Sequence, residues 1–466
     1  MYYMLNNFVF VRSVNNHLQL CDKRSDEKII GDYSAYLFLK DLDYYPKSFD
    51  CIISNILSYF KNVNEDRIRA DAVQLYKNLS SQSLLSFGSS YEDCMNNALQ
   101  FSYENTLENF VFLKHNLGKL IEFRNSISDK PVLQTVIIEI TKICNERCIH
   151  CYIPHNDKTV MMRPRDFYKI IDECVGMKSV FEIKITGGEC MTHPNFKDFI
   201  RYIKKKNFSL GIMTNLTLLD DETIKICKEG TITFIQVSLF SLNPTIHDRI
   251  TNMQGSLLLT LNNLKKLRDA NIPVSIATQV MEDNKNDIKD LFIYAKENNF
   301  QFFCDWEIIA RSDGNKENLS HRVSNVSDLY MQLCKLRMKY DENYKDDFIT
   351  QLKAPLKSSN SYLCNAGMNT LHIGADLSVY PCSGWGLNVG SLSQNTLSDI
   401  WSSSITLNKI RKITLSDFKR CVKCTNRNIC HICMAQAYNE GADLSNLQMS
   451  EYTCSVYSAI RSAAES

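Results

Sequence analysis

Cys144, Cys148 and Cys151 lie in the run TKICNERCIHCY with the spacing Cys-x3-Cys-x2-Cys. Three thiolates can hold three irons of a cubane iron–sulfur cluster, leaving the fourth iron open to another ligand. The same sulfurs joined by His150 or His155 are a possible zinc site. Seven more cysteines follow, Cys364, Cys382, Cys421, Cys424, Cys430, Cys433 and Cys454. Their centre, CVKCTNRNICHIC, reads Cys-x2-Cys-x5-Cys-x2-Cys, too dense for packing residues alone, although four-cysteine zinc sites use similar short loops. The remaining eight of 18 cysteines (Cys21, Cys51, Cys94, Cys174, Cys190, Cys227, Cys304, Cys334) are scattered singly and read as small buried hydrophobes.

Composition limits what these thiols do. The start, MYYMLNNFVFVRSVNN, lacks a basic segment followed by an apolar core, and no stretch of about 18 apolar residues occurs, so a cytoplasmic chain without a membrane span is expected. Cytosolic thiols stay reduced, which favours metal binding over disulfides. Lys plus Arg number 53 against 52 for Asp plus Glu, a net charge of +1, so no global field draws nucleic acid or an anionic membrane. A length of 466 residues predicts two or three domains.

The elements that must position the cysteines begin at Thr135. Apolar strands (TVIIEIT, FEIKITG, SLGIMTN, FIQVSLF, VSIATQV, FFCDWEII) alternate with amphipathic helices, which predicts an α/β fold with a partial (β/α)6 TIM-type barrel. Chemistry in such a barrel sits at the carboxyl ends of strands, and the first cysteine run follows the first strand directly. The second strand ends in Gly187, Gly188 and Glu189, where glycine permits close backbone approach and a carboxylate complements an ammonium. Thr214 and Asn215 end the third strand, Ser238 the fourth, and Asp305, Glu307 and Arg311 follow the sixth. Before the barrel, residues 8–23 read as two strands joined at Asn15-Asn16, followed by helical patterns around 34–41, 48–60 and 65–79. The expected division is a winged-helix-like module over 1–90, a helical linker over 91–132, the barrel over 133–345 and a Cys-rich domain over 346–466.

From Thr135 to Arg311 the sequence resembles the radical S-adenosylmethionine (SAM) superfamily, on the cysteine spacing and the Gly187-Gly188-Glu189 element. The resemblance implies that the open iron binds the methionine amino and carboxyl groups and that Gly187, Gly188 and Glu189 hold the amino group. It also places His150 near the adenine and Thr214, Asn215 and Ser238 at the ribose and carboxylate, with Arg311 a candidate carboxylate partner. Cys190 stands where the family usually has proline. The seven later cysteines resemble the SPASM extension. That resemblance gives one auxiliary cluster to Cys421, Cys424, Cys430 and Cys454 and another to Cys364, Cys382 and Cys433, because a further family cysteine is absent from the intervening stretch. Leu377 stands where the family often has glycine, and Cys430-x2-Cys433 replaces a frequent x3 spacing.

Together these features resemble the thioether-forming peptide maturases of the sactipeptide and ranthipeptide type. The resemblance implies S-adenosylmethionine, three iron–sulfur clusters, a precursor peptide with a leader sequence, and an electron donor such as flavodoxin or ferredoxin. The leader would add a strand to the edge of FVFVRSV or LQLCDK. Asp305 and Glu307 are the candidate catalytic groups. The alternatives are a carbon–carbon or carbon–oxygen peptide cross-linker, a formylglycine-type protein oxidase, and a non-enzymatic iron–sulfur or zinc protein in electron transfer or regulation.

Overall fold

The computed structural model describes residues 1–6, 9–14, 17–22, 27–60, 63–100, 131–154, 159–228, 232–340, 363–441 and 443–465. The expected Asn15-Asn16 turn, His155, and the greater part of the 91–132 linker lie outside them.

The amino-terminal module holds two antiparallel three-stranded sheets. In one, β1 (Tyr2–Leu5) is central between β5 (Lys47–Ser48) and β6 (Leu85–Gly88); in the other, β3 (His17–Asp22) is central between β2 (Val9–Val14) and β4 (Glu27–Gly31). The three expected helices are α1 (Tyr33–Leu39), α2 (Phe49–Tyr59) and α3 (Glu65–Ser81), with α4 (Tyr91–Gln100) after them. Each of α1 to α3 starts at a side-chain cap, Asp32, Ser48 or Asn64. Their apolar faces close over Leu5, Phe10, Leu20, Ile53, Ile56 and Tyr76.

All six barrel strands are present: β7 (Thr135–Glu139), β8 (Glu182–Thr186), β9 (Ser209–Thr214), β10 (Ile232–Ser238), β11 (Val274–Gln279) and β12 (Gln301–Asp305). They pair in parallel and in sequence order, each with the next. Intervening helices are α5 (Pro164–Gly176), α6 (Phe196–Lys205), α7 (Asp221–Lys228), α8 (Pro244–Thr251), α9 (Ser256–Asp269) and α10 (Ile288–Glu297). Helix α6 illustrates why: Phe196, Phe199, Ile200 and Ile203 form one buried stripe, and Phe199 stacks on Phe167 of α5 with ring centroids 3.9 Å apart. Val136, Ile138, Ile183, Ile185, Leu210 and Ile212 are buried in the same core, as strands covered on both faces require.

The sheet does not end at β7, however. Beyond β7 come β13 (Thr370–Ile373), paired in parallel with it, then β14 (Ser378–Tyr380) and β15 (Gly390–Ser391), making nine strands in all. The Cys-rich segment therefore extends the barrel sheet, which strand periodicity alone did not anticipate. Leu377, in the turn before β14, has φ of 69°, the left-handed region in which glycine is unstrained.

Arg12 of β2 clamps the amino-terminal module to the amino ends of β8 and β9. Its Nε donates to the Val180 carbonyl at 2.7 Å, a terminal guanidinium nitrogen donates to the Asn207 carbonyl, and the cation lies 5.0 Å from the Phe208 ring centroid. Phe181 is buried in the module's own core. Hydrogen bonds from a charged group contribute about 1.5–3 kcal/mol each. Arg12→Ala is therefore expected to weaken the docking by roughly 2 kcal/mol and to speed release of the module in limited proteolysis. Unchanged cleavage would count against the clamp.

Candidate active site

The cysteine run leaves the carboxyl end of β7 and is held by backbone hydrogen bonds from the end of β8. Gly188 N donates to the Thr141 carbonyl and Glu189 N to the Ile143 carbonyl, both at 2.8 Å. A Cβ on Gly187 would stand 2.5 Å from the Thr141 oxygen, and one on Gly188 would stand 2.6 Å from the Lys142 and Ile143 oxygens and 2.8 Å from Cys144 Cβ. Both glycines are thus required by the approach of the cysteine loop itself.

Glu189 is buried and accepts hydrogen bonds from Met191 N (3.0 Å) and Thr214 Oγ1 (2.7 Å) on Oε1, and from Asn215 N (2.7 Å) on Oε2. Burial raises its pKa, and these donors oppose the rise. A carboxylate offers about four lone-pair sites, so Oε2 retains capacity for one more donor. Asn215 continues the network: its Nδ2 donates to Asn145 Oδ1 at 3.0 Å, and its carbonyl accepts from Thr260 Oγ1 at 3.1 Å. Thr214 and Asn215 therefore brace the strand ends as well as facing the site.

Within the cysteine loop, Glu146 is buried and receives Ser256 Oγ at 2.5 Å, while Cys148 Sγ lies 3.5 Å from its Oε2. Burial, with Glu189 nearby, pushes its pKa up to about 7. Cys144 Sγ accepts from Glu146 N at 3.3 Å. Sequence reasoning missed Glu146 and its anchor Ser256; an acid inside a Cys-x3-Cys loop was the available signal. His150 sets its ring edge-on to Phe240 at 4.7 Å, and its carbonyl accepts from Asn318 Nδ2 at 3.2 Å. Ser238 ends β10 half-buried. Arg311 is paired with Glu317 at 3.2 Å, while its buried Nε has no hydrogen-bond partner.

The seven later thiols fall into two neighbourhoods. Cys433 lies within electrostatic reach of Cys382 and Cys364, and Cys382 within reach of Cys364. Cys430 is reached by Cys421, Cys424 and Cys454, and Cys421 by Cys454 and Cys424. Burial first, then these neighbours, push Cys382 up to about 12 and Cys421 up to about 11, with Cys430 and Cys433 also raised. Crowded thiols of this kind ionise together only around a cation, whose charge inverts the local preference.

Tyr152 follows Cys151 directly, and its hydroxyl pKa is raised by burial, then by Glu139, Cys151 and Cys382, so it stands between the first triad and the second set. Glu307 borders both later sets; its Oε1 is shut away without a hydrogen-bond partner, and burial, then Asp305, push it up to about 8. Asp305 is exposed at the end of β12, yet the protein around its carboxyl raises its pKa; its Oδ1 accepts from Glu307 N at 2.9 Å. Of the singly placed cysteines, Cys94, Cys174, Cys190 and Cys227 are buried as expected, whereas Cys51 is exposed and Cys304 is half-buried.

Residues 138–295 match the model of the radical SAM superfamily, and residues 364–433 match that of SPASM, an iron–sulfur cluster-binding domain. The chain carries a radical SAM domain followed by a SPASM domain. It is 25% identical over 256 residues to the antilisterial bacteriocin subtilosin biosynthesis protein AlbA of Bacillus subtilis (strain 168), covering 54% of this chain and 55% of AlbA. The matched region thus spans about half of AlbA's length. It is 23% identical over 328 residues to the AdoMet-dependent heme synthase of Methanosarcina barkeri (strain Fusaro / DSM 804), covering 66% of this chain and 92% of that one. Streptococcus suis SuiB, solved bound to precursor peptide SuiA, has a TM-score of 0.60 and 16% identity, covering 97% of this chain and 100% of SuiB. At that identity the likeness is one of fold. The radical SAM domain implies S-adenosylmethionine and a [4Fe–4S] cluster, and the SPASM domain implies auxiliary iron–sulfur clusters.

Glu189→Gln replaces one of the two acceptor oxygens with an NH2 donor that faces another donor, leaving a buried donor unpaired at a cost of about 1–3 kcal/mol. The variant is expected to lose roughly that stability in denaturant titration and to bind S-adenosylmethionine at least about tenfold more weakly in calorimetry. Wild-type affinity in a stable variant would remove Glu189 from the site.

Proposed function

We propose that this chain is a peptide maturase that joins cysteine sulfur to a carbon of an acceptor residue in a ribosomally made precursor, forming thioethers. The observation that carries the reading is the sorting of the SPASM thiols into a set of four and a set of three. Four thiolates saturate a cubane cluster, whereas Cys364, Cys382 and Cys433 leave one iron of theirs open to a substrate thiolate. Cys144, Cys148 and Cys151 hold the first cluster, giving three in all. When bound, the reduced first cluster splits S-adenosylmethionine to a 5'-deoxyadenosyl radical that takes a carbon-bound hydrogen, and an auxiliary cluster accepts the electron released as sulfur bonds to that carbon.

In this reading Glu189, Gly187 and Gly188 fix the methionine end, His150 lies at the adenine, and Thr214, Asn215, Ser238 and Arg311 border the ribose and carboxylate. Asp305 and Glu307 remain the candidate proton acceptors. Flavodoxin or ferredoxin would supply electrons. Of the two expected edges, FVFVRSV forms the edge strand β2, whereas LQLCDK forms the central strand β3, paired on both sides, and offers no edge. The β2 strand carries the Arg12 clamp, whereas β4 pairs only with β3 among the described residues and exposes Ile29 and Ile30. An edge with exposed β-branched residues suits strand addition by an extended leader peptide. Among the described residues, no helix is long and apolar enough to cross a membrane.

Coexpression with a short cysteine-bearing peptide encoded nearby tests the reading. The expected product loses two hydrogens per cross-link and its cysteines resist alkylation; the same mass loss with alkylatable thiols would make this a carbon–carbon or carbon–oxygen cross-linker. Loss of hydrogens confined to one residue would make it an oxidase. Cys382→Ala should lose about four irons per chain and still form 5'-deoxyadenosine with a strong reductant while making no thioether. Anaerobically prepared protein containing zinc without acid-labile sulfide would end the reading.

A further inference from the structure

Gln436 is the third residue of the helix Met434–Gly441, which starts directly after Cys433. Its backbone N–H donates to Cys433 Sγ at 3.4 Å, so that thiol caps the helix and receives the positive end of its dipole. The side chain is 1% exposed. Its Oε1 accepts from Thr453 Oγ1 at 3.1 Å, and Thr453, fully buried, precedes Cys454 in the helix Glu451–Glu465. Through its backbone N–H and its side-chain oxygen, Gln436 thus links a member of the three-thiol set to the neighbour of a member of the four-thiol set. With its oxygen occupied by Thr453, its Nε2 is completely buried and has no hydrogen-bond partner. Buried amide donors are almost always paired in a working fold. The acceptors that this neighbourhood is built to hold are thiolate and sulfide sulfurs.

We infer that Gln436 is a positioning residue that sets the reduction potential of the auxiliary cluster held by Cys364, Cys382 and Cys433, by donating hydrogen bonds from backbone and side chain to its sulfurs. This rests on the cluster assignment proposed above. Donors to sulfur stabilise the added negative charge of the reduced cluster and so raise its potential. One electron enters from the external reductant, no bond in the protein changes, and Thr453 keeps the amide turned so that its N–H groups remain available.

The test uses anaerobically reconstituted full-length protein, with iron and sulfide counted and midpoint potentials followed by electron paramagnetic resonance. Cys364→Ala identifies the signal of the three-thiol cluster by its loss. Gln436→Leu is expected to keep wild-type iron and sulfide and to lower the reduction equilibrium constant of that signal about tenfold, a negative shift of about 59 mV for one electron. Thr453→Val, which frees the amide, should shift it in the same direction by less. The first cluster's midpoint should stay in place. Full cluster content with that midpoint within twofold of wild type overturns the inference; if Gln436→Leu loses iron, an unmoved midpoint in Thr453→Val overturns it equally. Wild-type protein that takes up no auxiliary clusters overturns the function proposed above, a result distinct from an unmoved midpoint.

Discussion

The arrangement depends on the continuation of β7–β8 pairing past the end of both strands. Two backbone hydrogen bonds, from Gly188 and Glu189 to the carbonyls of Thr141 and Ile143, hold the loop that carries the cysteines. Any side chain at Gly187 or Gly188 would push that loop away. Once the loop is fixed, the Glu189 carboxylate reaches the end of β9 through Thr214 and Asn215, Asn215 returns to the loop at Asn145, and Ser256 of α9 meets Glu146. Three successive strand ends and a helix start are thereby tied to a loop of few residues. A site assembled from strand ends gains its rigidity in this way, without a covalent link.

The second constraint is charge. Glu146 and Glu189 are buried within electrostatic reach of each other, and Asp305 and Glu307 form a second acidic pair whose members both have raised pKa values. The later thiols raise one another's pKa in two groups. Arg322, whose charge favours the ionised form of Glu307, is already paired with Glu440, and His431 favours the ionised form of Asp305. Such a surplus of acidic groups is unfavourable in a low-dielectric interior unless positive charge is shared among them. The iron–sulfur clusters and S-adenosylmethionine that the two domains imply would bring positive charge if held there.

Much of this was legible in the sequence because it depended on period and spacing. The six barrel strands were visible as apolar runs of strand length, and the first cysteine run, read as following the first of them, does leave the carboxyl end of β7. The three amino-terminal helices were visible for the same reason. What escaped was pairing between distant segments. The β13 strand contains only four residues and joins the sheet beside β7, more than 200 residues earlier; no local period announces that. The β4 strand, EKIIG, is short and charged at its start, yet it turns β3 into a central strand and so moves the free edge. Glu146 and Ser256, 110 positions apart, are a long-range pair of the same kind. Leu377 is the opposite case, a departure from the family's usual glycine whose φ of 69° gives the physical reason for that glycine.

The β13–β7 pairing also changes how the two metal-bearing regions relate. The β7 strand is hydrogen-bonded to β8 on one side and to β13 on the other; the loop carrying Cys144 to Cys151 follows its carboxyl end, whereas β14, antiparallel to β13, runs back toward its amino end before Cys382. The loop after Cys382 is closed onto the segment following β12: a Cβ on Gly386 would lie 2.4 Å from the Ser312 oxygen, and Asn439 Nδ2 donates to both Ala310 (3.3 Å) and Gly384 (2.8 Å) carbonyls. Ser312 N in turn donates to the Tyr152 carbonyl at 3.0 Å, one residue past Cys151. A chain of contacts thus runs from the residue after Cys151 to the loop after Cys382. Were clusters held at both thiol sets, these contacts would constrain their separation, and the surrounding donors and acids would adjust the potential of each.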